Sequence, residues 1–157
     1  MLNGSLQWSF LGPPPAVMTP ARMIHILVVE DNAGDIFLIK EGLHGSGTSC
    51  DIAVAKDGLG AIRFIEAGNP RPDLIILDLN IPGLSGHDVL RRVKSDPQFQ
   101  EIPVIIFSSS NSMLDIKTAY QLNANSYVKK PSDLDEFFAA VAAIERFWTR
   151  TAALPIY

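Results

Sequence analysis

From residue 23 onward the chain alternates between short apolar runs and longer segments whose apolar residues recur every three or four positions. The runs are Ile26-Leu27-Val28-Val29, Ile52-Ala53-Val54-Ala55, Leu74-Ile75-Ile76-Leu77, Val104-Ile105-Ile106-Phe107 and a weaker Ser126-Tyr127-Val128. They are of strand length and apolar on both faces, as a parallel strand covered on both sides requires. Five helices are predicted between and after them. The first, over about 35–43, puts Ile36, Ile39 and Leu43 on one face, and the second, over about 59–67, carries Ile62 and Ile65. The third follows Ser85, turns Val89, Leu90 and Val93 inward, and opens on Ser85-x-x-Asp88, a capping-box spacing. The fourth spans about 112–122. The fifth starts after Ser132, whose Ser-x-x-Asp135 spacing also reads as a cap, and runs through Phe138, Val141, Ile144 and Phe147 or Trp148. Five strand–helix units in series imply an α/β fold, a doubly wound parallel sheet with helices on both faces.

Composition adds mainly exclusions. At 157 residues, 47% hydrophobic and 19% charged, the chain suits one domain with a real core and not a disordered segment. A net charge of -4 and a pI near 5.3 give no support for a generic nucleic-acid binder. The single cysteine, Cys50, rules out an intrachain disulfide, fits a cytoplasmic protein, and reads as a small buried apolar residue. No apolar run approaches the roughly 20 residues that cross a bilayer, so no membrane span is expected. Residues 1–22 are partly apolar but lack a basic start and are broken by Pro13-Pro14-Pro15. They read as a flexible extension, not a signal peptide, with Met18 and Met23 as alternative starts. The remaining plan is a domain over 23–148 and a tail over 149–157, with no segment left for an output domain.

In a doubly wound sheet the site lies at the carboxyl ends of the strands, near the switch in strand order. The first run ends in Glu30 and Asp31, the third in Asp78, the fourth in Ser108, and the fifth in Lys129-Lys130 before Pro131. Carboxylates gathered at one rim repel each other and suit a hard divalent cation such as Mg²⁺. An aspartate can act as a nucleophile and form an acyl phosphate. Phosphoryl transfer then needs in-line geometry and positive charge around the phosphoryl oxygens, which a cation and a lysine supply. Each residue also has an ordinary reading. Glu30-Asp31 could cap the first helix, Asp78 could lead a turn into Asn80-Ile81-Pro82-Gly83, Ser108 could belong to a polar loop, and Lys130 could be solvated. The order of these residues along the chain, each at the end of a different strand, favours the chemical reading.

Taken together these segments resemble the response-regulator receiver family. The resemblance runs from about 24 to 148. It rests on Ile26-Leu27-Val28-Val29-Glu30-Asp31-Asn32, Leu77-Asp78-Leu79-Asn80-Ile81-Pro82-Gly83 with Gly86, Pro103-Val104-Ile105-Ile106-Phe107-Ser108, and Tyr127-Val128-Lys129-Lys130-Pro131. It implies a flavodoxin-like (βα)5 sandwich whose five-stranded parallel sheet has the order 2-1-3-4-5. It makes Asp78 the phosphoacceptor and Glu30 and Asp31 the acidic pair. Mg²⁺ is then held by Glu30, Asp31, Asp78 and the backbone carbonyl of Asn80. Ser108 becomes the switch hydroxyl, Lys130 the lysine that contacts the phosphoryl group, and Tyr127 the switch aromatic. It also implies a cis Lys130–Pro131 bond. Glu30-Asp31-Asn32-Ala33-Gly34-Asp35, Lys94-Ser95-Asp96-Pro97, Ile144-Glu145-Arg146-Phe147-Trp148 and Leu154-Pro155 are similar to stand-alone regulators that partner phytochrome histidine kinases. Two departures stand out: Ser108 where Thr is commoner, and Ser109 where many members have Ala, a position whose side-chain size gates water reaching the acyl phosphate.

The resulting expectation is a single-domain response regulator, loaded by a histidine kinase or a histidine phosphotransfer protein, that assists only its own phosphorylation and dephosphorylation. It signals by protein contact, and a homodimer through the fourth helix, fifth strand and fifth helix is expected. The apolar tail residues Phe147, Trp148, Leu154, Ile156 and Tyr157 suit either a partner surface or the same domain. Two other classes share the architecture. An Asp-nucleophile, Mg²⁺-dependent phosphatase uses Asp-x-Asp, but the second position here is Asn80. A flavodoxin-type FMN binder needs a phosphate-cradling loop after the first strand, where Glu30-Asp31 would repel phosphate.

Overall fold

Neighbouring side chains in a strand point to opposite faces, so a strand apolar at every position feeds two cores at once. In the computed structural model, which describes residues 22–45 and 47–157, five strands do so. They are β1 (Ile24–Val29), β2 (Cys50–Ala55), β3 (Leu74–Leu77), β4 (Val104–Ser108) and β5 (Ser126–Lys129). All pair in parallel in the order β2-β1-β3-β4-β5. The expected sheet and strand order are therefore present. Of the expected extension over 1–22, residues 1–21 lie outside the described residues.

The helices are α1 (Ala33–His44), α2 (Gly58–Ala67), α3 (Gly86–Ser95), α4 (Met113–Gln121) and α5 (Leu134–Arg146), followed by a π-helical stretch, Phe147–Thr151. Leu27, Val29, Ile75, Leu77 and Ile106 pack with Ala61, Ile65, Val89, Leu90, Val93 and Ala119 of α2, α3 and α4. On the opposite face Ile26, Val28, Ile76, Ile105 and Phe107 pack with Ile39, Leu43, Phe137, Val141 and Ile144 of α1 and α5. The inward aromatic of α5 is thus Phe137, not the expected Phe138. Its ring meets Phe107 edge-on, with centroids 5.1 Å apart.

Each helix opens on a side-chain cap, and the caps decide between readings of the sequence. Asn32, not Glu30 or Asp31, caps α1 by accepting from the Asp35 N–H at 2.9 Å. Ser85 accepts from the Asp88 N–H, as its spacing predicted. The polar loop after β4 supplies its cap from Ser112, four residues beyond Ser108. At α5 the cap is Asp133, which accepts from the Glu136 N–H at 2.9 Å, and not Ser132. A carboxylate one position further along serves the same orphan N–H groups and adds a charge that the helix N-terminus favours. The Lys130–Pro131 bond is trans, against expectation. An X–Pro bond prefers trans by about 0.5–1 kcal/mol, and this turn does not reverse that preference. The cis X–Pro bond among the described residues is Asn69–Pro70.

At the amino ends of the strands the tail returns to its own domain. The Tyr157 ring lies over the Arg71 guanidinium at 3.5 Å, and the Pro155 carbonyl accepts from Arg22 at 3.5 Å.

Candidate functional site

In this strand order the chain turns left from β1 to β2 and right from β1 to β3. A crevice therefore opens over the carboxyl ends of β1 and β3. Glu30 and Asp31 follow β1 and Asp78 follows β3. Backbone bonds fix these ends, from Glu30 N–H to the Ala55 carbonyl and from Asp78 N–H to the Val29 carbonyl, both at 3.0 Å. On the far side, Lys130 N–H bonds the Ser108 carbonyl at 2.8 Å, tying the end of β5 to that of β4.

Among the described residues six polar side chains are buried, and four of them are here: Glu30, Asp78, Ser108 and Lys130. The Lys130 ammonium joins them, donating to Glu30 Oε2 at 2.5 Å, Asp78 Oδ2 at 2.7 Å and Asp35 Oδ2 at 2.8 Å. The remaining oxygens of the two buried carboxylates accept backbone N–H groups. Glu30 Oε1 bonds Asn32 at 3.0 Å and Asp78 Oδ1 bonds Asn80 at 3.1 Å. Asp31 is exposed beside this cluster.

The electrostatics follow from the charge count. Four carboxylates, Glu30, Asp31, Asp35 and Asp78, face one ammonium, so the rim carries excess negative charge. Burial, opposed by the Lys130 and Asn32 hydrogen bonds, pushes the Glu30 carboxyl up to about 6. Burial would lower the Lys130 ammonium, but its bonds to Asp35, Asp78 and Glu30 outweigh that and hold it well above the ordinary lysine range. An excess of negative charge also attracts a cation.

The donor set fits a hard divalent ion. Its members are carboxylate and carbonyl oxygens, with Asp31 facing solvent and Asn80 exposed. Among the described residues no three His, Cys, Asp or Glu side chains already form a metal cage, because Lys130 stands between Glu30, Asp35 and Asp78.

The residues named from the sequence lie on this rim, except Tyr127, which sits within β5 and reaches the loop beside the rim through its hydroxyl. Ser108 is fully buried at the end of β4, and its Oγ accepts from the Ser110 N–H at 3.3 Å. Tyr127 is half-buried on β5 and donates from its hydroxyl to the Ser110 carbonyl at 2.8 Å. Burial raises that phenol above its usual value. Asp35 is the residue that sequence reasoning missed as a site member.

The family model described as Response regulator receiver domain matches residues 26–142. Response regulator Rcp1 of Synechocystis sp. is 37% identical over 135 residues, covering 83% of this chain and 92% of its own. The phosphorylated cyanobacterial phytochrome response regulator RcpA superposes with a TM-score of 0.83 at 40% identity, covering 86% of this chain and 100% of its own. The Mn²⁺-bound form of Rcp1 superposes with a TM-score of 0.81 at 38% identity, covering 85% and 99%.

Proposed function

The chain belongs to the response regulator receiver family, and from that membership we propose that Asp78 accepts a phosphoryl group from a histidine kinase, with Mg²⁺ held beside it. One observation carries this reading. Lys130 Nζ lies 2.7 Å from Asp78 Oδ2 at the crevice where the strand order switches. A carboxylate nucleophile is thereby paired with the cation that phosphoryl oxygens require.

In the transfer an Asp78 carboxylate oxygen forms a P–O bond as the donor's bond to phosphorus breaks in line, and the electron pair leaves with the donor. The Lys130 N–H that served Asp78 then meets an oxygen of the phosphoryl group formed there. Ser108 offers its hydroxyl to another, which draws the 108–112 loop inward and Tyr127 with it. Glu30, Asp31, Asp78 and the Asn80 carbonyl would hold Mg²⁺, which neutralises charge on the phosphoryl oxygens. Lys130 and Glu30 are buried, so water is kept from that side of the site.

The partner is a kinase or a histidine phosphotransfer protein, and RcpA's identity as a phytochrome response regulator supports a phytochrome-type kinase. The message leaves by protein contact. Met113 and Leu114 of α4 are 63% and 73% exposed, which supports a homodimer through α4, β5 and α5. A concentration-independent monomer mass in solution scattering would remove the dimer. Among the described residues no helix is long and apolar enough to cross a membrane. The protein acts on its own phosphorylation state and not on an outside substrate. Asn80, at the position where Asp-x-Asp phosphatases carry their second acid, supports that choice.

The test is intact mass after incubation with acetyl phosphate, with and without Mg²⁺, for the native protein and Asp78→Asn. A gain of one phosphoryl group that requires both Asp78 and Mg²⁺ is expected. A gain that persists in Asp78→Asn would move the acceptor elsewhere.

A further inference from the structure

Lys130 stands at the centre of the site, yet one of its three partners has no part in the reading above. Asp35 lies in the first turn of α1 and reaches Lys130 Nζ at 2.8 Å, as close as Asp78 does. An ammonium has three N–H groups, and here each meets a different carboxylate: Glu30, Asp35 and Asp78. The Lys130 side chain is only 7% exposed, so little water competes for those hydrogens.

We propose that Asp35 is a positioning residue for phosphoryl transfer, holding the Lys130 ammonium so that its third N–H stays aimed at Asp78 and at the phosphoryl group that forms there. The proposal rests on the role given to Asp78 and Lys130 above and extends it to a side chain outside that set. Lysine carries a flexible four-carbon stem and a point charge with three rotatable donors. With Glu30 alone as a second anchor, the ammonium can turn about that one bond. With Glu30 and Asp35 together, two of its three donors are committed and the direction of the third is determined.

The hold matters most at transfer. The Asp78 oxygen that forms the new P–O bond gives up its negative charge as the donor's bond to phosphorus breaks. Lys130 loses a carboxylate partner at the moment the phosphoryl oxygens need it. Asp35, an anchor that does not change during the step, keeps the ammonium from following Glu30 away from the phosphoryl group. Preorganised donors of this kind act without rearranging during the reaction. Asp35 can serve as such an anchor because the Asn32 cap fixes the first turn of α1 through the Asp35 N–H itself.

Two measurements test this, and the first does not depend on phosphorylation. In protein labelled with ¹⁵N on lysine side chains, the Lys130 ammonium protons should exchange slowly with water in the native chain and in Asp35→Glu, and fast in Asp35→Ala. The second is the rate of loading from acetyl phosphate at saturating Mg²⁺ and high salt. High salt screens the mere loss of a negative charge near an anionic donor. Asp35→Ala should load roughly tenfold more slowly, a modest share of what a misplaced catalytic group can lose. Asp35→Glu should recover most of the rate. Asp135→Ala, which removes another first-turn acid that is exposed and is not among the three partners of Lys130, should load as the native protein does. Native loading by Asp35→Ala, or slow loading that Asp35→Glu does not recover, overturns the proposal. So does fast exchange of the native ammonium. If the native protein itself fails to load while its ammonium is protected, the fault lies with the function proposed for Asp78.

Discussion

Replacing Gly86 by alanine should damage both the fold and the site, and the size of the effect can be worked out. Gly86 is the first residue of α3 and is buried against the backbone that leaves β3. A Cβ built there would lie 2.3 Å from the Asp78 carbonyl oxygen and 2.6 Å from the Leu79 Cα. Carbon contacts settle near about 3.5 Å, so the backbone would have to retreat by roughly 1 Å. It has little freedom to do so. The Asp78 N–H is bonded to the Val29 carbonyl, and the Gly86 N–H itself bonds the Leu79 carbonyl at 3.1 Å. Overpacking typically costs about 1–3 kcal/mol, and a backbone clash belongs in the upper part of that range. The better helix propensity of Ala returns up to about 1 kcal/mol. The net loss is roughly 2 kcal/mol. With an m-value of about 2 kcal/mol per molar, the urea midpoint should fall by about 1 M with m unchanged. Loading from acetyl phosphate should fall as well, since the displaced backbone carries Asp78. Gly34→Ala is the comparison, because its Cβ would meet only Asn32 Oδ1 at 3.2 Å. It should leave the midpoint within about 0.3 M. A Gly86→Ala protein with an unchanged midpoint and unchanged loading would refute the packing argument.

Three further outcomes are expected. The Glu30 carboxyl, raised by burial to about 6, binds its proton more tightly in the folded state, so this contribution to stability is full below about pH 4.5 and lost as pH rises through 6. In chelator, the stability difference between native and Glu30→Gln should therefore shift by about 2 kcal/mol between pH 7.5 and 4, and parallel curves would refute it. Mg²⁺ at about ten times its dissociation constant should stabilise the native protein by roughly 1.4 kcal/mol in thermal melts, and Asp31→Asn should lose most of that gain; an equal gain in both would remove Asp31 from the ion's ligands. Tyr157→Ala should cost about 1 kcal/mol in urea unfolding by uncovering Arg71, while leaving acetyl-phosphate loading unchanged; an unaltered midpoint would show that the tail contact contributes nothing.

The sheet and four of the site residues are legible in the sequence for one reason. In a parallel α/β fold each strand end is marked by the break between an apolar run and the next polar residue, and the topology alone brings those breaks together. Glu30, Asp78, Ser108 and Lys130 sit at such breaks, and each is buried. Polar residues that a local rule would put in water, but that the fold encloses, tend to mark function. The mark is not sufficient by itself. Asp73 and Glu145 are equally buried, yet their partners are Arg22 and the His25 N–H for one, and Thr48 and Thr149 for the other. Those contacts secure the amino-terminal edge of the sheet, where Asp73 accepts the His25 N–H, and the end of α5, where Glu145 takes two threonine hydroxyls. What was not legible depends on side-chain reach and not on chain order. Phe137 and Phe138 precede Val141 by four and three residues, so both spacings fit one helix face, and only the packing against Phe107 selects Phe137. Asp35 is the clearest case. An acidic residue in the first turn of a helix is already explained by the helix dipole. Its sequence signal is therefore absorbed by a general rule, and only the arrival of Lys130, 95 positions further on, sets it apart. A residue with an ordinary local explanation can still hold a second role when its unused oxygens face a buried charge. That is why substitution at Asp35 should be read through the behaviour of Lys130 and not through the stability of α1.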